Sequence, residues 1–368
     1  MRPTRITVNP AAIRHNLSVI KQGAPAAKVL AVIKANAFGH GLMTAAQALG
    51  DADAWGVCCL SEGLRLRVAY PNQPIVIMEG ALSLEECRLA YQHDLILVVH
   101  CQYQLAFLRE LVLDKPLHLW LKVDTGMHRL GLPLSDVDAV WQFLADTPTQ
   151  GAFKLTDHVV LMSHLATADL AENVFTQQQI ARFDAIAACY PVETSLANSA
   201  ATLQWPTTCN GWIRPGILLY GISPLAGQVG AQLGLEPAMR LRSAVMAINA
   251  VPAYELVGYG PHFMTRRASR IAAVPIGYGD GYPRQLPNGA PVWVKGHIVP
   301  LVGRVSMDRI TLDVTDFPDI TVGSEVILWG PELPVEQVAA AANTIAYELV
   351  SQIRERGRNY TEYDAHAG

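Results

Sequence analysis

Along the first 230 residues, short apolar runs alternate with longer stretches whose apolar positions recur at helical spacing. The runs are KVLAVI (28–33), AWGVCC (54–59), PIVIM (74–78), LILVV (95–99), LHLWLKV (117–123), HVVLMS (158–163), TSLA (194–197) and WIR (212–214). Amphipathic stretches separate most of them, as in SEGLRLRVAY, where Ser61 is placed to cap a helix. Between the last two runs, NSAATLQWP leaves room for a brief helix at most. Eight strands alternating with helices is the arithmetic of a (β/α)8 TIM-type barrel, an α/β fold. An open doubly wound sheet fits less well, because no G-x-G-x-x-G follows the first strand.

After about residue 232 the texture changes. RSAVMAINAV, RIAAVPIGY, PVWVKGHIVPLVGRVSM, ITLDV and SEVILWG are strand-like and separated by Gly, Pro and Asp turns. VKGHIV reads as a hairpin, and helical pattern is confined to about 335–356. The chain is therefore expected to divide into a barrel over 1–232 and a mainly β domain over 233–368. No low-complexity linker and no repeat of fixed period interrupts this.

Composition narrows the class. Of 368 residues, 51% are hydrophobic and only 16% charged, which excludes a disordered chain and favours a large core, with room for a buried subunit interface. A net charge of −4 with scattered Lys and Arg offers no basic stripe for nucleic acid. The longest apolar runs are too short to span a bilayer, and the first thirty residues lack the apolar segment of a signal peptide. Six cysteines (58, 59, 87, 101, 189, 209) form no C-x-x-C pair. They read as reduced, packed residues of a cytoplasmic protein, with no metal site implied.

Barrel chemistry gathers at the C-terminal ends of the strands. The first run ends at Lys34, an amine that either snorkels to the surface or is held and used. The fifth is followed by Lys122, Asp124 and Arg129, the sixth by His164, the seventh by Asn198 and Ser199, and the eighth by Arg214, Pro215, Gly216 and Ile217. Turns after the last two strands commonly hold a phosphate through backbone N–H groups and a hydroxyl. An amine nucleophile opposite a phosphate site points to a carbonyl cofactor with a phosphate tail, pyridoxal 5′-phosphate, with Lys34 as its Schiff-base lysine. A barrel for phosphorylated sugars, or an aldolase with a Schiff-base lysine, remains open on this pattern alone.

The segments AVIKANAFGHG, KVDTGMHRLG, SHLATAD, ANSAA, IRPGILLYG, VGYG, IGYGDGYPR, VGRVSMD and AYE resemble, in order, the signature segments of the bacterial alanine racemases. The resemblance spans nearly the whole chain, from VNPAAIRHNL to Tyr347. It implies a homodimer whose active sites each use both chains, and a reaction that interconverts L- and D-alanine to supply peptidoglycan. Lys34 would carry the cofactor and act as the base on one face of the substrate. Tyr259 would be the base on the other, reaching in from the partner subunit. Arg129 would contact the cofactor's phenolic oxygen and the substrate carboxylate, and Lys122, carbamylated, would orient Arg129. Arg214 would hydrogen-bond the pyridine nitrogen, with His164 between it and Tyr259. Ser199, Gly216, Ile217 and Tyr347 would bind the phosphate, Met307 would help hold the substrate carboxylate, and Tyr278 would line the entry corridor.

Those roles are chemically coherent, because racemisation needs a base on each face of one carbon. A guanidinium at the pyridine nitrogen cannot also give that nitrogen a full proton, so the ring withdraws electrons less strongly and side reactions are suppressed. The chain departs from the family pattern at Phe38, where a phosphate-binding tyrosine is usual, and at Leu165, where phenylalanine is frequent. Loss of that hydroxyl would weaken cofactor retention by about 1 kcal/mol. Rival readings are a racemase of broader specificity, a decarboxylase of the same architecture and a non-catalytic cofactor carrier. The last would lack the C-terminal β domain.

Overall fold

Aliphatic residues on both faces of eight short strands close them into a parallel barrel. The computed structural model describes residues 2–150, 154–352 and 360–362. The barrel strands are β2 (Lys28–Val32), β3 (Ala54–Val57), β4 (Ile75–Ile77), β5 (Ile96–Val99), β6 (Leu119–Lys122), β7 (Val159–Met162), β8 (Glu193–Asn198) and β9 (Trp212–Arg214), and β9 pairs back to β2 through Val29 and Ile213. Each falls within or against one of the eight runs read from the sequence. Leu30, Ala54, Val76, Val98, Trp120, Val160 and Met162 fill the barrel interior as one cluster. Their alternating neighbours, such as Val29, Ala31, Ile75, Ile77, Leu119 and Leu121, pack outward against the helices. Burial on both faces is why these runs read as continuous apolar segments instead of alternating ones.

The helices start largely where side chains can cap them. Asn9 accepts from Ala11 N at 3.0 Å to open Pro10–Gly23, with Pro10 in the first turn. The expected cap at Ser61 is displaced: the helix Leu60–Ala69 begins after Cys59, and Ser61 lies inside its first turn. Glu62 accounts for the shift, since its carboxylate accepts Cys58 N at 2.9 Å and draws the helix start toward it. The brief helix after β8 is Ser199–Gln204, capped by Asn198 through Ala201 N at 3.0 Å.

The second sheet has nine strands. Besides β1 (Arg5–Val8) it contains β10 (Met239–Ala244), β11 (Ala247–Val251), β12 (Ser269–Val274), β13 (Pro291–Val294), β14 (His297–Val302), β15 (Ile310–Asp313), β16 (Glu325–Trp329) and β17 (Tyr360–Glu362), in the order β11-β12-β15-β14-β13-β16-β10-β1-β17. The hairpin at VKGHIV is present, with Lys295 and Gly296 both at positive φ (48° and 92°), the geometry of a type I′ turn. β1 was not among the expected strands; it pairs antiparallel with β10, so the first strand of the chain completes the sheet of the C-terminal half. Helical structure among the described residues of that half is Val335–Ala341 and Ala346–Ser351, plus short 3-10 turns. No helix among the described residues is long and apolar enough to cross a membrane.

Candidate active site

Lys34 stands just past the end of β2, at the C-terminal mouth of the barrel. The turn that follows is wound left-handed: Ala35, Asn36, Ala37 and Phe38 have φ of 54°, 53°, 56° and 52°. Each L-residue held there costs roughly 1–2 kcal/mol, so such a turn needs support from outside. Glu62 supplies part of it, accepting Asn36 N at 3.2 Å as well as Cys58 N. Asn36 Oδ1 in turn accepts Leu42 N at 2.9 Å. His40 Nδ1 donates to the carbonyls of Phe38 (3.0 Å) and Ala37 (3.1 Å), while its ring stacks on Tyr220 at 4.3 Å. Burial lowers the His40 pKa to about 4, so it acts as a neutral donor. Neither Glu62 nor His40 was assigned a role from sequence; the handedness that gives them one is not visible there. The Lys34 side chain is half-buried, and its amine has no hydrogen-bond or ion-pair partner among the described residues.

The cations predicted around it do converge. Lys122, last residue of β6, is only 8% exposed. Burial, reinforced by Arg214, Arg129 and Lys34, lowers its pKa to about 8. Asp124 offsets this little. Its carboxylate is engaged by its own loop, accepting Gly126 N (2.9 Å) and His128 N (3.1 Å) and pairing with His128 Nδ1 (2.9 Å). A cluster of Lys122 and Arg129 around Asp124 therefore does not form, and Arg129 stays exposed on the rim. The loop returns tightly because position 131 is glycine: at its φ of 142°, a Cβ would lie 2.6 Å from Asp124 N.

Arg214 ends β9 and is buried. Nη1 donates to Ser195 Oγ at 2.8 Å; Nη2 donates to Ser163 O at 2.7 Å, to Leu196 O at 3.3 Å and to His164 Nδ1 at 3.2 Å. Its Nε has no hydrogen-bond partner among the described residues. Because His164 Nδ1 accepts, the ring is neutral with its proton on Nε2. Burial and the surrounding Arg214, Lys122, Arg129 and Lys34 hold its pKa well below the usual histidine range.

A second group lies beside these strand ends. Ser199 Oγ accepts Gly216 N at 2.9 Å, and the Tyr347 phenol lies beside Ser199. Ile217 is fully buried next to them. The Phe38 ring sits 5.3 Å from Tyr220 and 6.0 Å from Tyr347, and a Cβ on residue 216 would come 2.9 Å from Phe38 Cζ.

The remaining predicted residues sit on loops of the second sheet. Tyr278 and Met307 are neighbours, since Tyr278 N donates to Ser306 O (3.0 Å) and Gly279 N to Met307 O (2.9 Å). Tyr259 is 73% exposed, between Gly258 and Gly260 at φ of 79° and 69°. No described contact within the chain joins it to Lys34, His164 or Arg214. Tyr254, Leu256 and Met264 of the same loop are exposed as well.

The cysteines depart in part from their reading as packed residues. Cys87 is buried, but Cys189 is exposed and the other four are intermediate; all six are unpaired. Cys58 Sγ donates to Glu79 Oε1 at 3.0 Å, and burial pushes its thiol up to about 12. No group of three or more metal-ligating side chains occurs among the described residues. A cavity of about 810 Å³ opens at the opposite, N-terminal mouth, lined by Trp120, Trp212, His118 and His158 among others, and holds none of the predicted site residues.

Comparison with known proteins follows the two halves of the chain. Residues 8–224 match the family model for the alanine racemase N-terminal domain, and residues 238–361 the one for the alanine racemase C-terminal domain. An alanine racemase of Shewanella loihica is 43% identical over 357 residues, covering 97% of this chain and 98% of that protein. The crystal structure of biosynthetic alanine racemase from Pseudomonas aeruginosa superposes with a TM-score of 0.93 at 41% identity, over 98% of this chain and all of that one. Alanine racemase from Bartonella henselae with covalently bound pyridoxal phosphate gives 0.85 at 29% identity, over 98% and 100% of the two chains.

Proposed function

The chain belongs to the alanine racemase family, and from that membership we propose that it interconverts L- and D-alanine with pyridoxal phosphate held at the barrel mouth. One observation in the site carries the cofactor assignment. Among the described residues the buried Arg214 Nε–H has no partner, and neither has the half-buried amine of Lys34 in the same cation cluster. A buried donor without an acceptor is costly unless a ligand supplies one, and a pyridine nitrogen does. The other end fits a phosphate: Ser199 gives a hydroxyl at a helix start, Gly216 leaves its backbone open beside the Phe38 ring, and Tyr347 gives a phenol.

When bound, pyridoxal phosphate supplies an electron sink that acidifies the α-hydrogen of an attached amino acid. Lys34 anchors that group and moves the proton at its Nζ on one face. Tyr259 of the partner subunit moves the proton at its phenolic oxygen on the opposite face. A neutral phenol is a poor base near neutrality. The proton on His164 Nε2 gives the phenolate oxygen a donor, and the cations behind it lower the cost of the charge. Arg129 and Met307 orient the substrate carboxylate, and Tyr278 lines the approach.

The homodimer is supported by the exposure of Tyr254, Leu256, Tyr259, Met264 and Met307 on the C-terminal half, apolar surface of the kind that a partner covers. Carbamylation of Lys122 is supported by its environment. An amine lowered to about 8 has a minor but real unprotonated fraction near neutrality whose lone pair can attack carbon dioxide, and the resulting carbamate places one negative charge among Arg214, Arg129 and Lys34. Six unpaired cysteines accord with a reducing cytoplasm, where D-alanine would be made for peptidoglycan.

The test is a visible absorption spectrum of the purified protein followed by a racemisation assay on the same sample. The wild type should show the band of bound cofactor and convert L- to D-alanine in preference to serine, and Lys34→Ala should lose both. A colourless protein that stays colourless with added pyridoxal phosphate would sink the assignment. A band without racemisation would leave a cofactor carrier or another substrate.

A further inference from the structure

We infer that Arg2 is a positioning residue for the substrate end of the site, clamping from the N-terminus the two loops that carry Tyr278 and Met307. The inference rests on the racemase reading above. Asp280, two residues beyond Tyr278, is fully buried. Its carboxylate accepts both Nη1 and Nη2 of Arg2, each at 2.8 Å, and also Gly277 N at 3.0 Å. The same Arg2 Nη2 donates to Asp308 O at 2.8 Å, one residue beyond Met307. One guanidinium thus holds both loops at once.

The loops have no slack between them. A Cβ at Gly277 would lie 2.1 Å from Ser306 O, and the two backbone bonds from Tyr278 N and Gly279 N zip them together. Arg2 is itself fixed from behind. Arg5 Nη1 donates to Arg2 O at 2.6 Å, Thr4 Oγ1 donates to Pro275 O at 2.6 Å, and β1 is paired in the sheet. The side chains of Tyr278 and Met307 remain 38% and 49% exposed, so their backbones are fixed while their tips stay free to meet a ligand. A bidentate guanidinium–carboxylate pair sets an angle as well as a distance, which a lysine cannot reproduce. Removing Arg2 takes away both of its bonds to the buried Asp280 carboxylate and its bond to Asp308 O, and with them the side-chain tie between the two loops.

The experiment uses the full-length holoenzyme and three variants: Arg2→Lys, Arg2→Ala, and Arg2→Ala with Asp280→Asn. In Arg2→Ala the KM for L-alanine should rise about tenfold while kcat and the cofactor band stay within about twofold, because substrate binding is lost without touching the proton-transfer groups. Arg2→Lys should recover part of the loss, and amide exchange should quicken at Tyr278 and Gly279 but not in β2–β9. If Arg2→Ala does not fold, Arg2→Lys carries the test, with a KM rise of about threefold and the same local exchange. An unchanged KM with unchanged local exchange overturns the clamp. So does exchange that rises through the barrel together with loss of the band, which marks a general structural role. A wild type without band or racemisation would instead defeat the functional reading, and the exchange measurement would still report on the clamp.

Discussion

Phe38 stands where a phosphate-binding hydroxyl is usual in the family that the sequence resembles, and its surroundings show what that change leaves. Its ring is wedged between Tyr220 and Tyr347 and faces residue 216, beside the Ser199 hydroxyl. Restoring the hydroxyl adds a donor at the phosphate end. Phe38→Tyr should tighten pyridoxal phosphate by about 1 kcal/mol, roughly fivefold in Kd, measured by titrating the apoenzyme at the cofactor band. A Kd that does not move, or weakens, would mean that the phosphate is already satisfied or that the ring has no room to extend. Lys122 and His164 owe their lowered proton affinity first to burial and then to the cations that surround them. Sequence placed these residues at strand ends, but only the fold shows that the Asp124 carboxylate is engaged by its own loop, so that it offsets the cations on Lys122 less than they act on it.

At the level of elements, the turn after Lys34 behaves opposite to a helix of the same length. Alanine in a right-handed helix is better than glycine by about 1 kcal/mol, whereas in the left-handed region the preference reverses. Ala35 has φ of 54° and is exposed, so Ala35→Gly should raise the thermal midpoint of unfolding instead of lowering it. A lowered midpoint would argue against the left-handed winding. The eight barrel strands were legible because burial on both faces leaves long unbroken apolar runs between polar turns. β1 was not, because RITV is four residues long with alternating burial, and its partner β10 lies far away in sequence. The helix start at Leu60 was misread because Glu62 reaches back to Cys58 N, a contact set by the neighbouring turn and not by local spacing. Handedness at 35–38 has no signature in a stretch of Ala, Asn and Phe, since contacts from Glu62 and His40 impose it.

Over the whole molecule, buried neutral histidines tie stability to pH. His40 titrates near 4 when folded against 6.5 when unfolded, so the unfolded chain takes up its proton first as pH falls. Stability is therefore full above 6.5 and declines as pH drops toward 4, with His164 acting in the same direction. By pH 5 the His40 share should reach about 2 kcal/mol, read as the difference in urea midpoints between pH 7.5 and 5. His40→Asn keeps a donor for the carbonyls but cannot titrate, and should flatten that difference; an equal fall in variant and wild type would assign the loss elsewhere. The order of the strands also governs how the chain must be made. β1 is synthesised well before its antiparallel partner Met239–Ala244, which follows about 230 residues later, roughly ten to fifty seconds at ordinary rates of synthesis. Through that interval the barrel can close while the opening strand waits unpaired, and the alternation of Arg5 and Thr7 with Ile6 and Val8 keeps one face of it polar while it waits.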